Sequence, residues 1–223
     1  MDLEKNKKEV FASVEEACRK AGRPENSVNV VAVTKYVDSS TAKRLVATGI
    51  QHIGENRVDK FLDKYQVLAA ENLTWHLIGS LQRRKVKEVI NYVDYFHALD
   101  SIKLAKEIDK RADHVINCFL QVNISREASK HGFLVEELNQ VLPELEKLEK
   151  IRIVGLMTMA PIDAGPQDLS EIFQGAKDLQ KELQRKQLIN MPFSEISMGM
   201  SRDYKEAIAH GSTFVRIGTA FFK

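Results

Sequence analysis

Lys35 follows directly on Val30-Val-Ala-Val-Thr34, and an amine at the end of an apolar run is the first group here with evident chemistry. A lysine set against a protein interior is partly desolvated. Desolvation lowers its pKa and raises the fraction of neutral amine that Schiff-base chemistry needs. A lysine that simply reaches solvent at a strand end satisfies the same pattern. Far along the chain lie two clusters of small and polar residues, Ser197-Met-Gly-Met-Ser201 and Arg216-Ile-Gly-Thr219. A hydroxyl of Ser197 or Ser201, with the unobstructed amides of Gly218 and Thr219, is the kind of set that binds phosphate. Glycine and serine also occupy strand-to-helix turns for backbone reasons alone. The histidines at 52, 76, 97, 114, 131 and 210 have no ligand spacing for a metal. His52 and His97 fall inside apolar runs and read as packing residues, whereas His76 can reach an active face. There is no Gly-x-Ser-x-Gly elbow and no P-loop.

The elements that must position these residues follow from a repeat of pattern. Short runs rich in apolar and β-branched residues occupy 28–34, 51–54, 73–79, 92–99, 115–123, 151–157, 193–197 and 213–217. Helical patterns lie between them at 39–48, 57–70, 83–91, 102–112, 134–147, 168–186 and 202–210. Another, at 3–21, precedes the first run and ends at Gly22, a residue suited to a helix C-terminus. Near-continuous apolar strands predict a parallel sheet buried on both faces. Eight of them separated by helices count out a single (β/α)8 TIM barrel, an α/β fold, with an extra N-terminal helix. A doubly wound open sheet is the rival, and no Gly-x-Gly-x-x-Gly turn follows the first strand to support it. In such a barrel the active face is built at the carboxyl ends of the strands. That places Lys35, Asn56 and the two small-residue clusters around one mouth. A Schiff-base lysine facing a phosphate site points to pyridoxal phosphate or to an aldolase-type phosphosugar site.

Bulk properties narrow the class. The 223 residues carry 33 basic and 31 acidic side chains, a formal charge of +2, which leaves no broad electrostatic footprint for nucleic acid or anionic membrane. The amino terminus is charged from its second residue and reads as no signal peptide, and no apolar run can span a bilayer. Cys18 and Cys118 form no metal-type pair. Two free thiols in a reducing compartment are their simplest reading, and a cytoplasmic location follows. One domain over residues 1–223 is expected.

With these residues in view the sequence resembles the pyridoxal phosphate homeostasis proteins, the YggS/PROSC family. The resemblance is carried by Ala32-Val-Thr-Lys35, Gly54-Glu-Asn56, Trp75-His-Leu-Ile-Gly79 with Leu81-Gln82, and Gln121-Val-Asn-Ile-Ser125. It continues through Gly155-Leu-Met157, Ser197-Met-Gly-Met-Ser201 and Gly211-Ser-Thr-Phe-Val-Arg-Ile-Gly-Thr219. It implies a monomeric or weakly associating barrel similar to the cofactor domain of alanine racemase. It further implies pyridoxal 5'-phosphate joined to Lys35 as a Schiff base and Arg216 at the pyridine nitrogen. Ser197 and the Gly218–Thr219 amides would hold the phosphate, and Asn56 would line the pocket near the ring, with Met200 and Ser201 as further contacts. The chain departs from many members at Tyr36-Val37, where a proline is usual after the lysine, and in stopping at Phe222-Lys223.

An arginine at the pyridine nitrogen disfavours a second positive charge there, so the ring is a poorer electron sink. Racemisation also needs a second base on the opposite face of the substrate carbon, which the resemblance assigns to an additional β domain. The chain ends shortly after Thr219, so that domain is not expected. The favoured expectation is a carrier that stores pyridoxal phosphate, limits its free concentration and delivers it to apo-enzymes. The rivals are an amino-acid racemase or related enzyme using Tyr36 or His76 as acid or base, and a lysine-dependent aldolase.

Overall fold

In a computed structural model that describes residues 1–127 and 131–223, eight parallel strands close into a barrel in sequence order. They are β1 (Asn29–Val33), β2 (His52–Glu55), β3 (Thr74–Leu77), β4 (Tyr95–Leu99), β5 (Ile116–Gln121), β6 (Ile151–Met157), β7 (Glu195–Met200) and β8 (Phe214–Ile217). β1 pairs with both β2 and β8, so the sheet has no free edge and the open-sheet alternative is excluded. Helix α1 (Leu3–Lys20) precedes the barrel. Between strands lie α2 (Ser39–Val46), α3 (Val58–Leu68), α4 (Val86–Val89), α5 (Ile102–Arg111), α6 (Leu138–Leu145), α7 (Pro166–Arg185) and α8 (Tyr204–Ala209).

The residue pattern explains these elements. In β1, Val33 lines the barrel mouth while Val30 and Ala32 pack outward with Val10, Val14 and Cys18 of α1. That outward cluster also holds Val215 and Ile217 of β8, so α1 covers the seam where the barrel closes. Asn6 of α1 fastens the chain end there, its amide donating to the Phe221 and Lys223 carbonyls at 2.9 and 3.1 Å. Asp2, Asp38 and Ser101 accept backbone N–H groups at the starts of α1, α2 and α5. α7 begins at Pro166, two residues before the expected start, because proline lacks the N–H that a first helical position does not use. The expected helix at 83–91 is broken: a short α4 is flanked by 3-10 turns at Arg83–Lys85 and Ile90–Tyr92.

Below the mouth the barrel is filled with rings. His76 stacks on Tyr95 with centroids 5.0 Å apart, His97 lies 4.5 Å from Phe119, and Phe119 meets Phe214 edge-on at 5.4 Å. Inward-facing side chains thus make a packed floor and no pore. Cys18 and Cys118 are both buried and unpaired, and burial pushes the Cys118 thiol well above its ordinary range. Among the described residues no helix is long and apolar enough to cross a membrane, and none of their histidine, cysteine and carboxylate side chains gather into a metal-binding group.

Candidate cofactor site at the carboxyl end of the barrel

A cavity of about 750 Å³ opens at the carboxyl ends of the strands. Lys35, Asn56, Ser201, Arg216, Gly218 and Thr219 all line it, as do Tyr36 and Met200. The fold therefore gathers residues from the ends of β1, β2, β7 and β8 that are up to 184 positions apart (219 − 35).

Lys35 stands differently from expectation. β1 ends at Val33, Thr34 is buried, and Lys35 lies past the rim, exposed, with Nζ 4.8 Å from the Tyr36 ring centre. Its side chain lies over the Tyr36 ring and is not packed against the barrel interior as the sequence pattern suggests. Beneath it a buried network ties down both strand ends. Thr34 donates to Glu55 Oε1 at 2.5 Å, and Lys64 of α3 pairs with the same oxygen at 2.7 Å. Thr34 and Glu55 immediately precede Lys35 and Asn56. Sequence reasoning passed over this trio, although Lys64 sits on the buried face of α3 with Phe61 and Leu68, where a lysine needs a partner.

Gly79 fixes the other side of Asn56. A Cβ at position 79 would lie 2.1 Å from the Asn56 carbonyl oxygen. Gly79→Ala is expected to lower stability by about 1–3 kcal/mol through overpacking and to displace Asn56. Chemical denaturation reads this directly, and an unchanged midpoint would contradict the close approach.

Arg216 forms the floor. Its side chain points inward from β8, 5% exposed; Nη1 donates to Ser197 Oγ at 2.5 Å and Nη2 to the Thr158 carbonyl at 3.2 Å. Among the described residues no carboxylate lies within ion-pair distance of it. Burial brings its pKa down to about 10, with Asp203 opposing, so the guanidinium remains charged at neutral pH. At the rim, Ser201 Oγ accepts the Gly218 N–H at 3.3 Å, and Asp203 accepts the Met200 N–H at 2.6 Å. Gly199 makes this turn possible. Its φ is +93°, and a Cβ would meet Ala207 at 2.6 Å.

Ser197 and His76 fall elsewhere than foreseen. β7 continues to Met200, beyond the expected strand end, so Ser197 is mid-strand, fully buried and outside the cavity lining. Only Ser201 reaches the turn, and the expectation of a phosphate contact from Ser197 has no support in this placement. His76 does not reach the mouth: its ring is inside the barrel, with Nε2 2.9 Å from His52 Nδ1 and Nδ1 2.9 Å from His97 Nε2. His97 Nδ1 in turn lies 2.8 Å from Ser197 Oγ. His52 and His97 are packed in strands as expected, but as links of one hydrogen-bonded series.

The residues present fit pyridoxal phosphate. An amine at the rim suits an aldehyde, a fixed cation on the floor suits a ring nitrogen, and the hydroxyls of Ser201 and Thr219 suit a phosphate.

A closed parallel barrel with this mouth defines a class. The model of the family "Alanine racemase, N-terminal domain" matches residues 10–223. The fold is also that of alanine racemase from Corynebacterium glutamicum, at TM-score 0.71 and 13% identity over 96% of this chain and 59% of that one. The pyridoxal phosphate homeostasis protein of Aquifex aeolicus is 38% identical over 216 residues, covering 96% of this chain and 94% of that protein. The structure of PipY from Synechococcus elongatus with PLP bound superposes at TM-score 0.83 and 32% identity, covering 94% of this chain and all of that one (100%). The chain belongs to the alanine racemase N-terminal domain family and, within it, to the pyridoxal phosphate homeostasis proteins of the YggS/PROSC group.

Proposed function

We propose that this chain is a carrier of pyridoxal 5'-phosphate, holding it on Lys35 and serving its intracellular storage and delivery. The observation that carries the reading is the convergence of Lys35, Arg216 and the Ser201–Gly218–Thr219 set on one cavity. When bound, the cofactor supplies an aldehyde that condenses reversibly with amines. Lys35 is the amine in reach of solvent, Asn56 and Tyr36 line the same cavity, and Arg216 would present a fixed positive charge to the pyridine nitrogen. That charge disfavours protonation of a ring nitrogen beside it and so suits storage of an aldehyde over stabilisation of a carbanion. The family relatives named above for homeostasis support the same role. A single barrel domain over residues 1–223, a cytoplasmic location, monomeric or weakly associating behaviour and apo-enzymes as recipients complete the proposal.

The test is the near-visible absorption of the purified protein with added pyridoxal phosphate, before and after borohydride, beside Lys35→Ala. Wild type is expected to take on a yellow band that borohydride bleaches, with the reduced cofactor mapped to Lys35. Lys35→Ala is expected to lose the band and the covalent adduct. A colourless wild-type protein would sink the reading.

One observation favours a second reading, weak amino-acid racemase chemistry: the Tyr36 ring lines the cavity directly under the Lys35 amine. His76 drops out of that reading, since both its ring nitrogens are engaged below the floor. Solvent-deuterium exchange at an amino-acid α-carbon, lost in Tyr36→Phe, would favour the enzyme over the carrier.

A further inference from the structure

Arg216 of β8 stands at the head of an unbranched series of polar contacts that passes through Ser197 of β7, His97 of β4 and His76 of β3 to His52 of β2. The direction of this series follows from hydrogen-bond inventory. A guanidinium has donors only, so Ser197 Oγ accepts from Arg216 Nη1. The one hydroxyl proton of Ser197 then goes to its other polar neighbour, His97 Nδ1, at 2.8 Å. A neutral His97 accepting on Nδ1 carries its proton on Nε2, which faces His76 Nδ1 at 2.9 Å. The same logic passes to His76, whose Nε2–H faces His52 Nδ1 at 2.9 Å. The reverse direction would require His97 to donate to Ser197 Oγ beside the arginine, leaving the serine proton buried without an acceptor.

Burial holds all three imidazoles below their ordinary pKa, His76 and His97 well below it. Near the outer end, Asp94 is the acidic group that acts on His52, and Tyr95 stacks on His76. At the inner end Arg216 is the charge that faces His97, with Asp203 acting on the arginine from the rim.

An imidazole protonated on Nε2 has the negative end of its dipole at Nδ1. In this series every Nδ1 faces the arginine end. A buried cation without a carboxylate needs such compensation. We propose that His97, His76 and His52, acting through Ser197, are positioning residues: a one-way chain of neutral Nε2–H imidazoles that orients Arg216 and compensates its charge. The link to the cofactor rests on the proposed reading of Arg216 as the partner of the pyridine nitrogen. The tautomers do not.

The first measurement is long-range proton–nitrogen correlation NMR on the ligand-free full chain labelled with nitrogen-15 histidine, at neutral pH. His76 and His97 are expected as single Nε2–H tautomers. An Nδ1–H or doubly protonated form of either ring would overturn the chain. The second compares wild type, Ser197→Ala and Ser197→Thr loaded with pyridoxal phosphate, reading the pH midpoint of the near-visible absorption. Cutting the link in Ser197→Ala is expected to move that midpoint by about one pH unit, as loss of one hydrogen bond to a charged group does, with Ser197→Thr restoring it. Equal midpoints in all three proteins would overturn the action on Arg216. A wild-type protein that takes up no pyridoxal phosphate would remove the cofactor reading alone, and the tautomers would still decide the chain.

Discussion

Lys64→Met is expected to destabilise the protein by about 3–5 kcal/mol, the cost of stranding a buried charge. Lys64 is 1% exposed and Glu55 fully buried, with 2.7 Å between Nζ and Oε1. Glu55 Oε2 has no hydrogen-bond partner among the described residues, so Lys64 and Thr34 carry its whole compensation through one oxygen. With the ammonium gone, only the Thr34 hydroxyl remains. The double variant Glu55→Leu/Lys64→Met removes both charges and is expected to recover most of the loss, since apolar replacement of a buried pair is often neutral. Urea denaturation at pH 7 of the two single variants and the double measures this coupling. A loss under about 1 kcal/mol in Lys64→Met would match an exposed pair, contrary to the burial described. Because Thr34 and Glu55 abut Lys35 and Asn56, cofactor retention is expected to fall with stability in Lys64→Met and to recover in part in the double variant.

Mild acid is the second large lever. His76 and His97 are fully buried, and burial is the first cause that holds each well below its ordinary pKa. In the unfolded chain both titrate near pH 6.5, as free histidines do. The folded pKa lies below the unfolded one, so below about pH 6.5 the unfolded state binds more protons and stability falls as pH drops. The loss continues until the folded pKa values are reached. Each buried histidine contributes about 1.4 kcal/mol per pH unit, so the two together contribute about 2.7, with half-buried His52 adding a smaller part. The carboxylates held below their ordinary range, such as the exposed Asp38 and Asp59, act in a lower window. Urea midpoints between pH 7.5 and 5 are expected to fall steeply, and a His76→Gln/His97→Gln variant to show a flatter profile. A flat wild-type profile in that window would mean that the rings are charged or accessible in the folded state.

Much of the cavity lining at the barrel mouth could be read from the chain because its signals are local. An apolar run ending in Lys35, an acid-amide step at Glu55-Asn56, and glycine and serine at the exits of two late strands each mark a strand end. The barrel makes all strand ends neighbours. The eight strands were legible for the same reason: apolar runs bounded by turns need no partner to be recognised. Strand length was not. β7 runs on to Met200 with a register shift against β8 between Ser197 and Met200, which carries Ser197 from the expected turn into the interior.

What only the tertiary structure decided are contacts across strands and between layers. His52, His76 and His97 lie on successive strands, and alternation within each strand says only that a side chain faces in or out. Their alignment into one series depends on inter-strand register and on how the strands tilt to close the barrel. Lys64 and Glu55 meet for a similar reason, through the docking of α3 on β2. The sequence by itself determined that Lys35, Asn56, Ser201, Arg216, Gly218 and Thr219 stand at the barrel mouth, because period and punctuation are properties of a single strand. Which buried polar groups meet beneath it was decided by closure, because a hydrogen bond of 3 Å requires a register that no one strand contains.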